Sequence, residues 1–279
     1  FSKIEVISRN KIIRKKIFNI SDFYKTLDKK KALCDRFNNL NYKNKKIEKE
    51  VLKNKNFSIF GILNMTPDSF SDGGKNLNLD IAIQSALRMR KNGASFIDVG
   101  GESTRPGADK VDPKTEIFRV MPIIQKLNFR KFDISLDTRN SSTMNFGALS
   151  GVRIINDVSG LSHDKKSIEI VKKYNTPVII MHMPGNPKTM MVKNKYMDVL
   201  LDVYDFLDNR TQKLIKSGVK RDNIIIDPGI GFGKDLKQNI TLIRNISIFH
   251  SLGFPIMLGV SRKRFINSIS KESNPENRL

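Results

Sequence analysis

Cysteine and the usual zinc-binding patterns are almost absent from this sequence. The 279 residues include a single cysteine, Cys34, so the chain can form neither an internal disulfide nor a cysteine-based metal cluster. It also lacks the His-Glu-x-x-His and paired-histidine zinc motifs, and it has no Gly-x-Ser-x-Gly nucleophile elbow. Any metal is therefore expected to be an oxygen-liganded ion, such as Mg²⁺ held partly by substrate phosphates.

Long apolar runs are absent as well. No stretch approaches the roughly 20 residues that span a bilayer, and the N-terminus lacks the basic-then-apolar layout of a secretory signal. Hydrophobic residues make up 39% of the chain, which is enough for a substantial core. We therefore expect a globular, cytoplasmic protein without a membrane partner.

Acidic residues are few compared with basic ones, 28 against 50, and the net charge is +22. About half of this excess precedes Asn56. Strongly basic proteins often bind nucleic acid or other anionic surfaces. Here the lysines are mixed with asparagines, as in residues 41–46, and no aromatic-interleaved basic motif accompanies them. The charge is therefore interpreted as a solvated surface, and nucleic acid is not an expected partner.

From residue 59 onward, short apolar runs alternate with longer stretches of helical periodicity. The predicted strands are 59–65, 96–100, 134–137, 154–158, 178–183, 224–227 and 256–260. The predicted helices are 79–92, 114–127, 141–149, 165–174, 196–217 and 238–245. Repeated βα units imply parallel strands, and no glycine fingerprint of the Rossmann type follows the first strand. About seven units are visible, so we predict an α/β fold, a (β/α)₈ TIM-type barrel that is incomplete.

Residues 1–56 differ in composition from the rest and are predicted to be a small, basic α+β extension, followed by the barrel domain at 57–279. Apolar residues alternate over the first 17 positions, and residues 21–40 have helical periodicity, with Ser21 as its cap and Tyr24, Leu27, Ala32 and Phe37 near one face. The extension is either the tail of an upstream domain or a platform beneath the barrel. The sequence leaves both open.

Polar residues follow the predicted strands. They are Asn64, Asp98, Asp137, Asn156, His182, Asp227 and Lys263. The active site of a parallel barrel lies at the carboxyl ends of its strands, and burying such groups is costly unless they face partners or a ligand. We therefore expect one polar mouth. The alternative is that individual residues, such as Asp137 or Asn156, only cap the following helices.

Two segments are suited to anions. Residues 100–107 place Ser103, Thr104 and Arg105 in a loop between glycines, where an arginine and hydroxyls can hold a phosphate. Residues 227–234 are glycine-rich and end in Lys234, but the Walker spacing is absent, which excludes an ATPase of that type. The residues alone thus predict a barrel enzyme that acts on a polar, phosphorylated small molecule.

Seven motifs resemble dihydropteroate synthase, the folate-pathway enzyme that sulfonamides target. They are NMTPDSFSDGG at 64–74, IDVGGESTRPGA at 97–108, SLDTR at 135–139, INDVSG at 155–160, MHMPGNPKTM at 181–190, DPGIGFGK at 227–234 and SRKRF at 261–265. The resemblance implies a pterin-binding barrel transferase that uses Mg²⁺ and condenses p-aminobenzoate with 7,8-dihydropterin-6-ylmethyl diphosphate. It implies SN1-like loss of diphosphate, then attack by the arylamine, and a homodimer.

The resemblance also assigns roles to residues of this chain. The implied pterin-binding set is Asp137, Asn156, Asp227 and Lys263. The implied diphosphate-binding set is Asn64, Thr104 and Arg105, with Asn64 also a metal ligand. The implied p-aminobenzoate pocket is Phe70, Pro106 and Arg264, the last of which stands where many members have a serine. The implied catalytic residues are Asp72, Asn64, Arg105 and Lys263.

The resemblance also leads to expectations about the end of the chain and about one loop, and two alternative functions stay open. The family's last strand carries an Arg and a His that grip diphosphate, and it would come after Leu279, so we expect open sheet edges, poor solubility and low activity. The loop at 66–74 is expected to close only over bound substrate. The alternatives are a pterin-binding methyltransferase-type barrel and an inactive basic interaction protein.

Overall fold

The computed structural model describes residues 2–9, 12–27, 31–53, 56–66, 75–104, 107–191, 195–272 and 274. The chain begins with an antiparallel pair, β1 (Lys3–Arg9) and β2 (Ile13–Asn19), in a register that runs from Lys3 opposite Asn19 to Arg9 opposite Ile13. Three helices follow: α1 (Ile20–Leu27), α2 (Lys31–Leu40) and α3 (Lys45–Glu50). The predicted α+β content of the extension is confirmed.

The single helix predicted at 21–40 is wrong, since two helices occupy this segment. Helix α1 already includes Ser21, which is therefore not an N-cap. Phe23, rather than Tyr24, is the buried aromatic residue: Phe23 is 1% exposed and Tyr24 is 53% exposed. The ring of Phe23 contacts Phe37 and Phe18, and helical periodicity alone cannot show this contact with a neighbouring strand.

The main domain is a parallel sheet of six strands in chain order, surrounded by helices. The strands are β3 (Phe60–Asn64), β4 (Phe96–Gly100), β5 (Ile134–Asp137), β6 (Ile154–Asp157), β7 (Val178–Met181) and β8 (Ile224–Asp227). The helices are α4 (Lys75–Lys91), α5 (Pro113–Phe129), α6 (Ser141–Leu149), α7 (Ser167–Tyr174), α8 (Val199–Lys216), α9 (Leu236–Arg244) and α10 (Arg264–Ser270). Two 3₁₀ helices, Arg221–Asn223 and Ile246–Leu252, flank β8 and α9.

The predicted order of strands and helices is confirmed for the first six βα units. The seventh predicted strand, at 256–260, contributes a single parallel bridge between Ile256 and Ile226. Within the described ranges, no hydrogen-bonded ladder joins β3 to this segment, so β3 lies at a sheet edge. Ile62 of β3 is accordingly 59% exposed, whereas its neighbour Leu63 packs under the helices at 4%.

The core has two parts, one on each face of the sheet. Outward-facing strand residues such as Val99, Leu136 and Ile180 pack against the surrounding helices. Inward-facing residues form a second cluster near the amino ends of the strands, made of Phe96, Ile154, Ile179 and Ile225. Each such side chain contributes about 1.5–3 kcal/mol when fully buried.

Helix α3 covers this second cluster from below. Ile47 of this helix is 1% exposed, and Val51, the residue that follows the helix, is 4% exposed. Both pack against the inward-facing apolar residues. The side chain of Asn44 caps the helix by accepting from Ile47 N at 3.0 Å, and it donates to Asp222 O at 3.2 Å. Part of the extension is thus a platform beneath the sheet, while the predicted boundary at 56/57 stays a prediction.

The remainder of the extension lies against α8. Arg9 donates to Asp202 at 2.6 Å, and Arg36 pairs with Asp208. These contacts place the hairpin and α2 beside α8. None of the helices in the described ranges is both long and apolar enough to cross a membrane.

Candidate active site

Four neighbouring positions line the carboxyl ends of β3 to β6. In the strand register, Asn64 lies beside Gly100, Gly100 beside Asp137, and Asp137 beside Asn156. Because register partners point to the same face of a sheet, these side chains share one mouth. Gly100 leaves the middle open: a Cβ there would lie 3.3 Å from Asn64 Oδ1 and 3.6 Å from Asp137 Oδ2. The amide oxygen and the carboxylate therefore border a common recess.

Asn156 is oriented from below by Asp98. Its Nδ2 donates to Asp98 Oδ2 at 3.0 Å, which leaves the amide oxygen as the acceptor for a ligand. Asp98 is 6% exposed, and its buried register neighbour Ser135 offers a hydroxyl that favours the ionised form of this carboxylate. Sequence reasoning noted Asp98 without giving it a role and missed Ser135. Their inward positions in buried strands were the available signal.

The electrostatic state of Asp137 makes this mouth receptive to hydrogen-bond donors. Burial raises the pKa of Asp137 well above its usual range, and the charges of Asp98 and Glu116 raise it further. Burial likewise raises the pKa of Asp98. A cluster of carboxyl groups that resists ionisation is stabilised by a ligand that donates N–H bonds or brings positive charge.

Asp227 and Lys263 lie on the other side of the mouth. Asp227 ends β8, and its Oδ1 accepts from Gly229 N at 2.7 Å. Lys263 precedes α10, and its Nζ lies 4.1 Å from the centroid of the Phe232 ring. Burial lowers the pKa of Lys263, while Asp227 and Asp137 oppose this shift. Lys263 thus lies within electrostatic reach of both carboxylates, without a direct ion pair to either among the described contacts.

The structure does not support the capping alternative for Asp137 and Asn156. The N-cap of α6 is Asn140, and the first amide of that helix, Ser141 N, is held by Asp164 Oδ2 at 3.0 Å. Asn156 bonds Asp98 instead of a helix amide. These two polar strand ends are therefore available to a ligand.

The loop that carries Thr104 is anchored by a buried ion pair. Glu102 receives two hydrogen bonds from Arg139, and its Oε1 also accepts from Val111 N at 3.1 Å. One carboxylate thereby joins both ends of the loop to the end of β5. Sequence reasoning missed this pair, although both residues lie in quoted motifs, because nothing in the spacing shows that they meet.

The remaining predicted residues are placed as follows. Thr104 is partly exposed in the loop after β4, and Arg264 is the exposed first residue of α10. Phe70, Asp72, Arg105 and Pro106 lie outside the described residues, as does the predicted mobile loop beyond Thr66. Their roles stay predictions.

His182 follows β7 and is 6% exposed. Its ring packs edge-on against Phe206, with centroids 4.8 Å apart, and its Nδ1 lies 3.0 Å from Lys234 Nζ. Burial and the charge of Lys234 lower the pKa of His182 to about 2. The imidazole is therefore neutral in any ordinary buffer.

Known proteins resemble this chain in both sequence and structure. Residues 60–279 match the family model described as pterin binding enzyme. The dihydropteroate synthase of Haemophilus influenzae is 42% identical over 213 residues, which are 76% of this chain and 77% of that protein.

Solved structures give the same result. A Clostridium difficile dihydropteroate synthase, determined in the presence of pteroic acid, has a TM-score of 0.75 and 43% identity, covering 81% of this chain and 83% of that one. A Xanthomonas albilineans dihydropteroate synthase in complex with 7,8-dihydropteroate has a TM-score of 0.70 and 34% identity, covering 79% of each chain. These likenesses confirm the barrel fold and favour the synthase over the methyltransferase alternative. The chain therefore belongs to the dihydropteroate synthase family of pterin-binding enzymes, which are transferases.

Proposed function

We propose that this chain joins p-aminobenzoate to 7,8-dihydropterin-6-ylmethyl diphosphate, forming dihydropteroate and releasing diphosphate. The observation that carries the proposal is the shared mouth in which Asp137 and Asn156 lie side by side, with Asp227 and Lys263 opposite. The Xanthomonas relative binds the corresponding product, 7,8-dihydropteroate.

The pterin ring has an edge of N–H donors that fits these acceptors. Asp137 and Asp227 would accept from the aminopyrimidine N–H groups, and the amide oxygen of Asn156 would accept one more. Hydrogen bonds to an ionised carboxylate are roughly twice as strong as neutral ones. Lys263 would donate to the carbonyl or a ring nitrogen of the pterin. Binding would thus relieve the cost of ionising the crowded carboxyl groups.

The departing diphosphate needs positive charge and hydrogen-bond donors. Thr104 supplies a hydroxyl on an anchored loop, and we assign Arg105 the matching cation. The described residues contain no group of three or more His, Cys, Asp or Glu that could hold a metal without help. Asn64 offers one amide oxygen beside the recess at Gly100, which fits Mg²⁺ because this ion usually takes one or two protein oxygens and otherwise substrate phosphates and water. When bound, Mg²⁺ would neutralise charge on the leaving group.

The second half of the reaction requires no protein nucleophile. Loss of diphosphate leaves a cation delocalised over the pterin, which we expect Asp72 to stabilise. The arylamine nitrogen supplies the electron pair of the new C–N bond and then loses one of its protons to water. We place p-aminobenzoate near Phe70, Pro106 and Phe232, with Arg264 facing its carboxylate. A homodimer and a cytoplasmic location are further proposals.

The test is product formation by the purified chain. The protein is incubated with the dihydropterin diphosphate, p-aminobenzoate and Mg²⁺, and dihydropteroate is detected by mass spectrometry beside direct calorimetric binding of the pterin. We expect pterin binding in the wild type and its loss in Asp137→Ala, whereas Asp72→Ala should bind pterin but release diphosphate slowly. Salt-sensitive binding of random DNA without any pterin binding would instead support the interaction-protein alternative.

A further inference from the structure

Lys234 is a buried lysine to which the reaction described above assigns no role. Its side chain ends the glycine-rich segment 227–234 and is 4% exposed. Its Nζ donates to Gly229 O at 2.8 Å and to Phe232 O at 3.0 Å. The third neighbour is His182 Nδ1, at 3.0 Å. The carbonyl oxygen of His182 lies further away, at 3.4 Å. The three protons of a lysine ammonium thus have four acceptor atoms around them, so the buried group has no unmet hydrogen bond.

His182 serves this arrangement as an acceptor. While Lys234 is protonated, its ammonium can only donate, so His182 Nδ1 presents its lone pair and the ring proton lies on Nε2. A neutral ring is consistent with its burial against Phe206 and with its low pKa. Burial lowers the pKa of Lys234 to about 7, Asp227 opposes this shift, and Lys263 adds to it.

The segment that Lys234 crosses has little stiffness of its own. Gly229, Gly231 and Gly233 all have positive φ angles, of 69°, 82° and 59°. Glycine adopts such angles readily, but many other backbone conformations are open to it in the unfolded chain. Substitution is barred by close contacts as well, since a Cβ at Gly229 would lie 2.0 Å from His182 O. The hydrogen bonds from Lys234 span this turn from residue 229 to residue 232.

Both ends of the turn carry groups of the candidate site. Gly229 N holds Asp227 Oδ1 at 2.7 Å, and the Phe232 ring lies under Lys263 Nζ at 4.1 Å. A shift of the carbonyls of Gly229 and Phe232 would therefore move the carboxylate and the ring relative to Lys263.

We propose that Lys234, with His182 Nδ1 as the third of its close acceptors, is a positioning residue that fixes Asp227 and Phe232 for pterin binding. The inference rests on the proposed binding of a pterin at Asp227. Neither Lys234 nor His182 exchanges a proton with the substrate in this account. The role of His182 is to complete the acceptor set.

The first test compares Lys234 with a nearby exposed lysine, Lys237. Lys234→Met keeps the length of the side chain and removes its donors, and Lys237→Met changes an exposed lysine on α9. The probe is 6-hydroxymethyl-7,8-dihydropterin, which lacks diphosphate, measured by calorimetry on the full chain. We expect Lys234→Met to weaken binding by about 10- to 100-fold, as for loss of a charged buried hydrogen bond, and Lys237→Met by less than about twofold.

The second test separates an acceptor from packing or acid–base chemistry. Asparagine can place Oδ1 near the position of the histidine Nδ1, whereas leucine has a similar size and no acceptor. We expect His182→Asn to weaken pterin binding by about threefold or less and His182→Leu by about tenfold or more. This comparison holds even where Lys234→Met fails to fold.

Two results would overturn the inference. One is pterin affinity that is unchanged in folded Lys234→Met. The other is a loss in His182→Asn as large as that in His182→Leu. A wild-type chain that binds no pterin would overturn the proposed function, and the inference with it.

Discussion

Glu102 and Arg139 form a buried ion pair with two parallel hydrogen bonds, 2.8 Å from Nε to Oε2 and 2.7 Å from an η nitrogen to Oε1. Their side chains are 3% and 8% exposed. The pair joins the loop after β4 to the end of β5, so it connects the Thr104 loop to the strand that carries Asp137. Buried pairs of this kind are costly to break because the remaining charge stays out of water.

Replacing Arg139 by methionine should therefore destabilise the protein strongly. We expect a loss of about 3–5 kcal/mol in the free energy of unfolding, measured by urea denaturation, with partial recovery in Arg139→Met combined with Glu102→Gln. Lys188→Met is the control, because its pair with Asp109 is exposed on both sides, and no measurable change is expected there. A double variant as unstable as Arg139→Met would contradict the interpretation.

The same pair predicts a dependence of stability on pH. Burial raises the pKa of Glu102, but the hydrogen bonds from Arg139 and Val111 N outweigh it, and the net shift is downward. The folded pKa is then below the unfolded one, so the stabilisation is present at neutral pH and is lost as pH falls through the folded value. We expect the gap in unfolding free energy between wild type and Glu102→Gln to shrink between about pH 6 and about pH 3. A gap that widens on acidification would contradict this assignment.

For Asp137 we expect stability to depend on pH in the opposite direction. Its folded pKa is raised, so its ionised form destabilises the unliganded protein, and that cost grows as pH rises from the unfolded pKa through the folded pKa. Asp137→Asn should thus raise the thermal midpoint at pH 7, by about 2–4 °C for each kcal/mol gained, while pterin binding is lost. The exposed Asp80→Asn is the control for a surface charge. A thermal midpoint that is lower in Asp137→Asn than in the wild type would contradict the predicted direction of this effect.

Gly231 lies directly beside Lys263. A Cβ at Gly231 would be 2.9 Å from Lys263 Cδ, and the φ angle is 82°. Gly93 has a φ of 100° with nothing within 4 Å of a Cβ, so Gly93→Ala controls for backbone strain alone. Both alanine variants should lose about 1 kcal/mol of stability, but only Gly231→Ala should weaken pterin binding, by about tenfold. Equal pterin affinity in the two variants would show that the position of Lys263 is unimportant.

Ile47 tests the platform beneath the sheet. The side chain is 1% exposed among inward-facing strand residues, so Ile47→Ala should cost about 2–5 kcal/mol by urea denaturation. Ile17→Ala is the matched control, because Ile17 of β2 is 65% exposed and should change stability by about 0.5 kcal/mol or less. Similar losses in both variants would show that the cost does not come from burial beneath the barrel.

The order of the βα units and the residues at the strand ends could be predicted from the sequence. Runs such as those at 134–137 and 224–227 contain branched apolar residues and end in aspartate, and the strands have those same bounds. This works because a strand buried on both faces is apolar along its length. The family motifs could also be recognised directly in the sequence.

The contacts between separate segments could not be predicted from the sequence and are seen only in the folded chain. Helix α3 has the sequence KKIEKE, with one apolar residue. Its sequence therefore has no periodicity that would predict the packing of Ile47 against the amino ends of the strands. The bonds of Asp98 to Asn156, Arg139 to Glu102 and Lys234 to Gly229 span 58, 37 and 5 residues. A polar residue in a buried strand predicts that its side chain needs a hydrogen-bond partner. Which residue becomes that partner depends on the register of the sheet and the path of the loops.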